Sequence, residues 1–239
     1  MNLENSTVLI TGANRGIGAA LVSAALDAGA RRVYATSRSG RPPIEGDRVV
    51  GLALDVTDPA SVGAAAEAAT DVSVVVNNAG VAARQHLLTG DLGQMRLEME
   101  TNFWGPLLVT RAFAPALARA GGGAVVTVAS VLAMISFEGA GSYATSKAAA
   151  WSANDGLRLE LADQGTQVVT AFLASTDTDM MSGWDVVKND PADVAAAIFT
   201  AVQDGADEVF VDDDSRTAKE ALSSSVAVRY PDLAAARTR

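Results

Sequence analysis

Thr7-Val8-Leu9-Ile10-Thr11-Gly12-Ala13-Asn14-Arg15-Gly16-Ile17-Gly18 runs a short β-branched segment straight into a turn holding three glycines, and Ala19 to Ala28 follows with helical character. In a strand-to-helix turn of this kind each glycine has its own use. Gly12 permits the tight bend, Gly16 lets backbone approach a pyrophosphate, and Gly18 lets the helix pack closely on the strand. The free N–H groups at the start of the helix then face an anion. Glycines alone often only close such a turn, so the weight of the reading rests on what surrounds them.

Six further segments have the length of buried strands: Arg32 to Thr36, Val49 to Leu54, Val72 to Val76, Ala124 to Val128, Val168 to Leu173 and Glu208 to Val211. Stretches of helical period lie between them, at Ser61 to Ala69, Leu107 to Ala120, Ser142 to Asp163 and Pro191 to Gln203. This alternation predicts an α/β fold, a Rossmann-type doubly wound sheet of seven parallel strands with helices on both faces. No internal repeat or linker interrupts it, so one domain is expected across residues 1–239. In that setting the glycine turn after the first strand reads as a dinucleotide site contacted by Gly12, Asn14, Arg15, Gly16, Ile17 and Gly18.

Composition narrows the chemistry. The chain has 239 residues, 49% of them hydrophobic, and no apolar run long enough to span a bilayer. Its net charge of −10 disfavours nucleic acid and anionic membrane as partners. Cysteine is absent, and a single histidine, His86, rules out a His-rich metal site; no metal is expected. The start of the chain lacks the basic and apolar regions of a secretory signal, so a cytoplasmic setting is expected. A proton donor near neutral pH must therefore be a tuned Tyr, Lys, Asp or Glu.

Tyr143 and Lys147 stand four apart in Ser142-Tyr143-Ala144-Thr145-Ser146-Lys147, a spacing that sets a phenol and an ammonium on one helix face. At the end of the second strand the chain reads Ala35-Thr36-Ser37-Arg38, where an acid would bind the adenosine ribose and repel a 2′-phosphate. With no acid there, Ser37 and Arg38, helped by Arg15, point to NADP(H) over NAD.

Taken with Asp55, Asn77-Asn78-Ala79-Gly80, Asn102 and Ser130, these motifs make residues 5 to about 205 resemble a short-chain dehydrogenase/reductase of the NADP-preferring kind. The resemblance implies an enzyme that moves a hydride between nicotinamide and a carbonyl or alcohol. It implies that Tyr143 is the acid/base, that Lys147 lowers its pKa and binds the nicotinamide ribose, and that Ser130 holds the substrate oxygen. Asn102 would position a water linking Lys147 to solvent. Asp55 and Val56 would bind the adenine, Asn77, Ala79 and Gly80 the adenosine ribose side, and Thr178 the carboxamide. The chain departs from the family where Leu173-Ala174 stands in place of the usual Pro-Gly before that threonine. A strand-ending Ser130 or Asn77 also fits a plain turn.

Val131, Leu132, Ala133, Met134, Ile135, Phe137, Met180, Met181 and Trp184 are candidates for the substrate pocket. With no Arg or Lys among them, a neutral hydrophobic ketone or aldehyde is expected in a relatively open site. The resemblance implies a homodimer, with a homotetramer as the alternative, built on the helices of Asn102 and Tyr143, where Ala148-Ala149-Ala150-Trp151 would allow close packing. Two other readings stay open: a non-catalytic NADP-binding regulator, and a biosynthetic ketoreductase acting on a carrier-bound substrate.

Overall fold

The computed structural model describes residues 1–231 and residue 233. Its seven strands are β1 Thr7–Ile10, β2 Arg32–Ser37, β3 Val49–Ala53, β4 Val74–Asn77, β5 Ala124–Val128, β6 Gln167–Phe172 and β7 Glu208–Phe210. They pair in the order β3-β2-β1-β4-β5-β6-β7, every pair parallel. The helices are α1 Gly16–Asp27, α2 Pro59–Ala68, α3 Leu92–Met99, α4 Gly105–Arg119, α5 Gly141–Glu160, α6 Pro191–Asp204, α7 Asp213–Glu220 and α8 Val226–Arg229.

Successive side chains of a strand leave opposite faces of the sheet, and the core divides accordingly. Val8, Ile10, Val74 and Val76 meet α1 and α6 through Leu21, Val22, Ile198 and Val202. Leu9, Val75 and Val125 meet α2 and α4 through Val62, Val109, Phe113 and Leu117. Strands buried on both faces must be apolar throughout, which is why they read as unbroken Val/Ile/Leu runs. Each such side chain contributes about 1.5–3 kcal/mol by leaving water.

The strand order reverses between β1 and β4, so the loops leaving their C-terminal ends diverge to opposite faces and open a crevice. Two elements beside it were not legible in the sequence. α3 has one buried residue, Glu98, and exposes Leu92, so it carries no apolar stripe to reveal it. Its start is set by the Asp91 side chain, which accepts the Gln94 N–H at 2.8 Å. It passes into one π-helical turn, Glu100–Trp104, which holds Asn102. At the C-terminal end, α7 begins at Asp213, where Asp212 and Ser215 form a reciprocal capping box. No helix among the described residues is long and apolar enough to cross a membrane.

Candidate active site

The glycine turn is held from below by residues of β4's end. The Thr11 hydroxyl accepts the backbone N–H groups of Asn78 and Ala79, each at 3.0 Å, and the Asn78 amide donates to the carbonyls of Thr11 and Gly12 at 2.9 and 3.1 Å. Gly12 has φ +63°, and a Cβ on it would lie 2.9 Å from Ala79 Cα. A Cβ on Gly18 would lie 2.1 Å from the Gly12 carbonyl oxygen, so a side chain there would push α1 off the sheet. Arg15, the N-cap of α1, makes no capping bond from its side chain, which leaves the helix's first N–H groups without a side-chain partner. An uncapped twelve-residue helix behind a glycine turn is the arrangement that receives a phosphate.

This turn forms one end of a cavity of about 1120 Å³. Asn14, Arg15, Gly16, Ile17, Ser37, Arg38, Asp55, Val56, Ala79, Gly80, Ser130, Tyr143, Lys147 and Thr178 all lie along its wall, with Gly12 and Gly18. Its length, from β2's end to α5, suits a ligand as large as a dinucleotide with a second molecule beside it.

At the β2 end, Ser37 shares a hydrogen bond with Ser39 at 3.2 Å and Arg38 is exposed. Arg15 turns toward the opposite rim, where its guanidinium pairs with Asp179 at 2.9 Å. Both partners are more than two-thirds exposed, so this pair is weak and can exchange. Asp55 accepts the Thr57 N–H and hydroxyl at 3.0 and 2.7 Å, bonds that hold its carboxyl below the usual range, the backbone bond most. It thus braces the turn into α2 while facing the cavity.

Two expected residues do not reach the cavity wall. Asn77 points to the α4 face, where its amide donates to the Thr110 hydroxyl at 3.1 Å, because it occupies the strand position opposite to that of the crevice. Asn78, one step on, faces the glycine turn instead. Asn102 is 1% exposed and sits behind Gly80; its amide oxygen accepts the Val81 N–H at 2.9 Å, and its nitrogen donates to the Val81 carbonyl and to Ser146. A Cβ on Gly80 would lie 3.1 Å from that oxygen and 3.7 Å from Lys147 Nζ, so both groups border the same glycine.

At the far end, the Ser130 hydroxyl accepts the Leu132 N–H at 3.1 Å and so caps a 3₁₀ turn over Val131–Ala133. Lys147 is buried, donates to the Val128 carbonyl at 2.8 Å, and lies 5.7 Å from the centre of the Tyr143 ring. Burial lowers the Lys147 pKa to about 8. Burial also pushes the Tyr143 phenol up to about 12, against the opposing pull of the Ser130 hydroxyl and the Arg84 charge. Desolvation sets the direction of both shifts, because burial disfavours the charged form of each group.

The loop after β6 is tied by Asp212. Its carboxylate accepts the Ala174 N–H and the Asn189 amide, each at 2.7 Å. Thr178 follows on that loop, and a Cβ on Gly16 would lie 3.0 Å from its methyl group. Of the expected apolar residues, Val131, Leu132, Ile135, Phe137, Met180, Met181 and Trp184 line the cavity, whereas Ala133 and Met134 pack into a core with Phe172. Trp151, expected on a subunit face, bonds Glu208 and packs edge-on against Phe172. His86 is exposed and lies off the wall.

The cavity also has parts that no local pattern announced. α7 and α8 wall one side through Thr217, Ala218, Val228 and Arg229. The Tyr230 hydroxyl accepts the Ser136 N–H at 3.1 Å, fastening that wall to the segment after Ser130. Arg84 also lines the cavity, so the substrate end is not free of cations as its apolar neighbours suggested.

Residues 6–188 match the family described as short chain dehydrogenase. Over 188 residues the chain is 34% identical to the 3-oxoacyl-[acyl-carrier-protein] reductase of Vibrio cholerae, covering 75% of this chain and 77% of that protein. Over 239 residues it is 33% identical to the 1-deoxy-11-beta-hydroxypentalenate dehydrogenase of Streptomyces avermitilis, covering 91% and 88%. A solved short chain dehydrogenase from Burkholderia cenocepacia, in complex with NADP, superposes with a TM-score of 0.93 at 35% identity over 98% and 99% of the two chains.

Proposed function

This chain belongs to the short-chain dehydrogenase family, and on that premise we propose that it is an NADP(H)-dependent oxidoreductase acting on a ketone or aldehyde, or the corresponding alcohol, carried on an apolar skeleton. The observation that carries the reading is the placement of Tyr143, Ser130 and Lys147 on one cavity wall with the glycine turn at its other end. NADP is favoured by Ser37 and Arg38 at the end of β2, where no acid stands. The NADP bound to the B. cenocepacia relative supports the same choice.

A dinucleotide held there would supply or accept the hydride. The protein's part is positioning and proton transfer. Ser130 and Tyr143 hold the substrate oxygen; as hydride reaches the carbonyl carbon, the π electrons move to oxygen and the Tyr143 hydroxyl donates its proton to that developing alkoxide. A phenol held protonated at neutral pH is the form this step consumes. Lys147 stabilises the phenolate left behind. Asn102, fixed against Val81 and Ser146, would position a water linking Lys147 to solvent, the route by which a proton returns. The α1 N-terminus, with Gly12, Asn14, Gly16, Ile17 and Gly18, would hold the pyrophosphate; Asp55 and Val56 would face the adenine, Ala79 and Gly80 the adenosine ribose, and Thr178 the carboxamide.

The test is NADPH oxidation against a panel of cyclic and aromatic ketones, with Tyr143→Phe as control. NADPH binding without turnover on any ketone would favour a non-catalytic regulator. A carrier-bound ketoreductase is the second reading, favoured by the V. cholerae relative; turnover of free ketones equal to that of carrier-linked ones counts against it. The same proposal takes residues 1–239 as one domain, in a cytoplasmic homodimer with the π-helical turn and α5 at the interface, where Trp104 and Leu159 expose apolar surface.

A further inference from the structure

Arg84 presents to the substrate end of the cavity a cation that forms no ion pair among the described residues. Its guanidinium offers five N–H donors. Nη2 donates to the Met181 thioether at 2.9 Å, a weak acceptor, and Nε is buried with no hydrogen-bond partner. The guanidinium carbon lies 4.7 Å from the centre of the Trp184 ring. No Asp or Glu among the described residues forms an ion pair with it. The side chain is half-buried, and a buried N–H left without an acceptor is costly to keep, so its retention calls for a partner outside the chain.

The backbone beneath it is built to hold that orientation. Arg84 has φ +52°, a left-handed conformation that a long side chain adopts only under constraint. The constraint is Glu98, fully buried on α3, whose Oε1 accepts the N–H groups of both Ala83 and Arg84 at 2.7 and 2.9 Å. The next residue is fixed as well, the Gln85 N–H donating to the Ser142 hydroxyl at 2.8 Å, beside Tyr143. The strained turn, its buried anchor and the tie to the helix of the reactive phenol together aim one side chain at the cavity. Arg84 and Tyr143 line the same cavity, within reach of a single ligand.

We propose that the substrate carries a carboxylate, received by the Arg84 guanidinium against the Trp184 ring while its reacting carbon lies at Tyr143. A single planar fork matches a carboxylate in a bidentate pair and is a poorer match for a doubly charged phosphate. In a chain of net charge −10, an anionic substrate needs such a local cation to enter. The apolar residues between Arg84 and Ser130 then receive the hydrocarbon body. The inference deepens the proposed reaction by naming its substrate class, and it shares only the cavity with it.

The experiment measures equilibrium binding of cyclohexanecarboxylate, cyclohexanecarboxamide and cyclohexyl phosphate to the whole protein, with and without NADP. Tryptophan quenching and ligand-observed NMR provide two readouts. In the wild type the carboxylate binds about tenfold or more tighter than the amide. Arg84→Gln removes the preference and leaves the amide's affinity in place, whereas Arg84→Lys keeps a part of it. The melting temperature of each variant shows whether the Glu98 turn survives, and the Lys variant carries the test if the Gln variant unfolds. Equal affinity for carboxylate and amide, a preference that survives Arg84→Gln, or tighter binding of the phosphate would each overturn the assignment. Because binding is read without turnover, failure of NADPH oxidation would sink the proposed reaction alone.

Discussion

Asp212 accepts the Ala174 N–H at 2.7 Å and thereby ties the start of α7 to the loop that carries Thr178. The family's usual Pro-Gly would stiffen this loop from within; here Leu173-Ala174 keeps an N–H, and a carboxylate from a distant segment holds it. Burial raises the Asp212 pKa, but the bonds from Ala174, Ser215 and Asn189 outweigh it and leave the group below the ordinary carboxylate range. A depressed carboxyl contributes stability above its unfolded pKa and loses it as pH falls through the folded one. Asp212→Asn should lower stability by about 1–3 kcal/mol near neutrality. It should also flatten the acid limb of a melting-temperature profile below about pH 4. A simultaneous rise in KM for NADPH tests the link to the Thr178 loop, and an unchanged KM would break that link.

Tyr143→Phe should cut kcat/KM for ketone reduction by about 10²–10⁴. NADPH affinity should stay within about twofold, since the hydroxyl and not the ring is invoked. Stopped-flow reduction and fluorescence titration separate the two. Residual turnover near the wild-type rate would show that another group supplies the proton.

Ser37→Asp should move preference from NADP toward NAD by about 10- to 100-fold in the ratio of kcat/KM, because a carboxylate repels the 2′-phosphate and bonds the ribose hydroxyls. Arg38→Ala should weaken NADP binding and leave NAD unaffected. If neither ratio moves, the 2′-phosphate lies elsewhere than at the end of β2.

Lys147 and Tyr143 set the alkaline profile of stability in opposite senses. Burial lowers Lys147 to about 8. Between that value and the unfolded lysine pKa of about 10.4, the unfolded chain binds the extra proton, so stability rises with pH. Tyr143, raised to about 12, reverses the sign above about pH 10, where the unfolded phenol ionises first. Lys147→Met should abolish the rise between pH 8 and pH 10 in urea midpoints, a change of roughly 3 kcal/mol at most. A rise that persists in the variant would assign it to another group.

The alternation of strands and helices, the parallel sheet and the glycine turn were legible because each depends on neighbours in the chain: buried strands must be apolar, and a phosphate turn must be small. Most residues with a stated cofactor role lie on the cavity wall for the same reason, since motif spacing on a strand end or a helix turn is fixed by local geometry. The exceptions are informative. Asn77 and Asn78 are adjacent and alike, and only β4's pairing with β1 decides that Asn77 faces Thr110 while Asn78 faces the glycine turn. α3 stayed hidden because its buried contact is an acid, Glu98, whose purpose is to hold a turn fourteen residues away.

Sequence alone thus determined the fold class and the phosphate end of the cavity, consequences of local periodicity and spacing, and its motifs carried the family likeness. Tertiary structure decided the rest, because burial and long-range contact are not properties of a segment. It placed Arg84 among apolar residues that looked free of charge, closed one wall with α7 and α8, and buried Lys147 beside the Tyr143 ring.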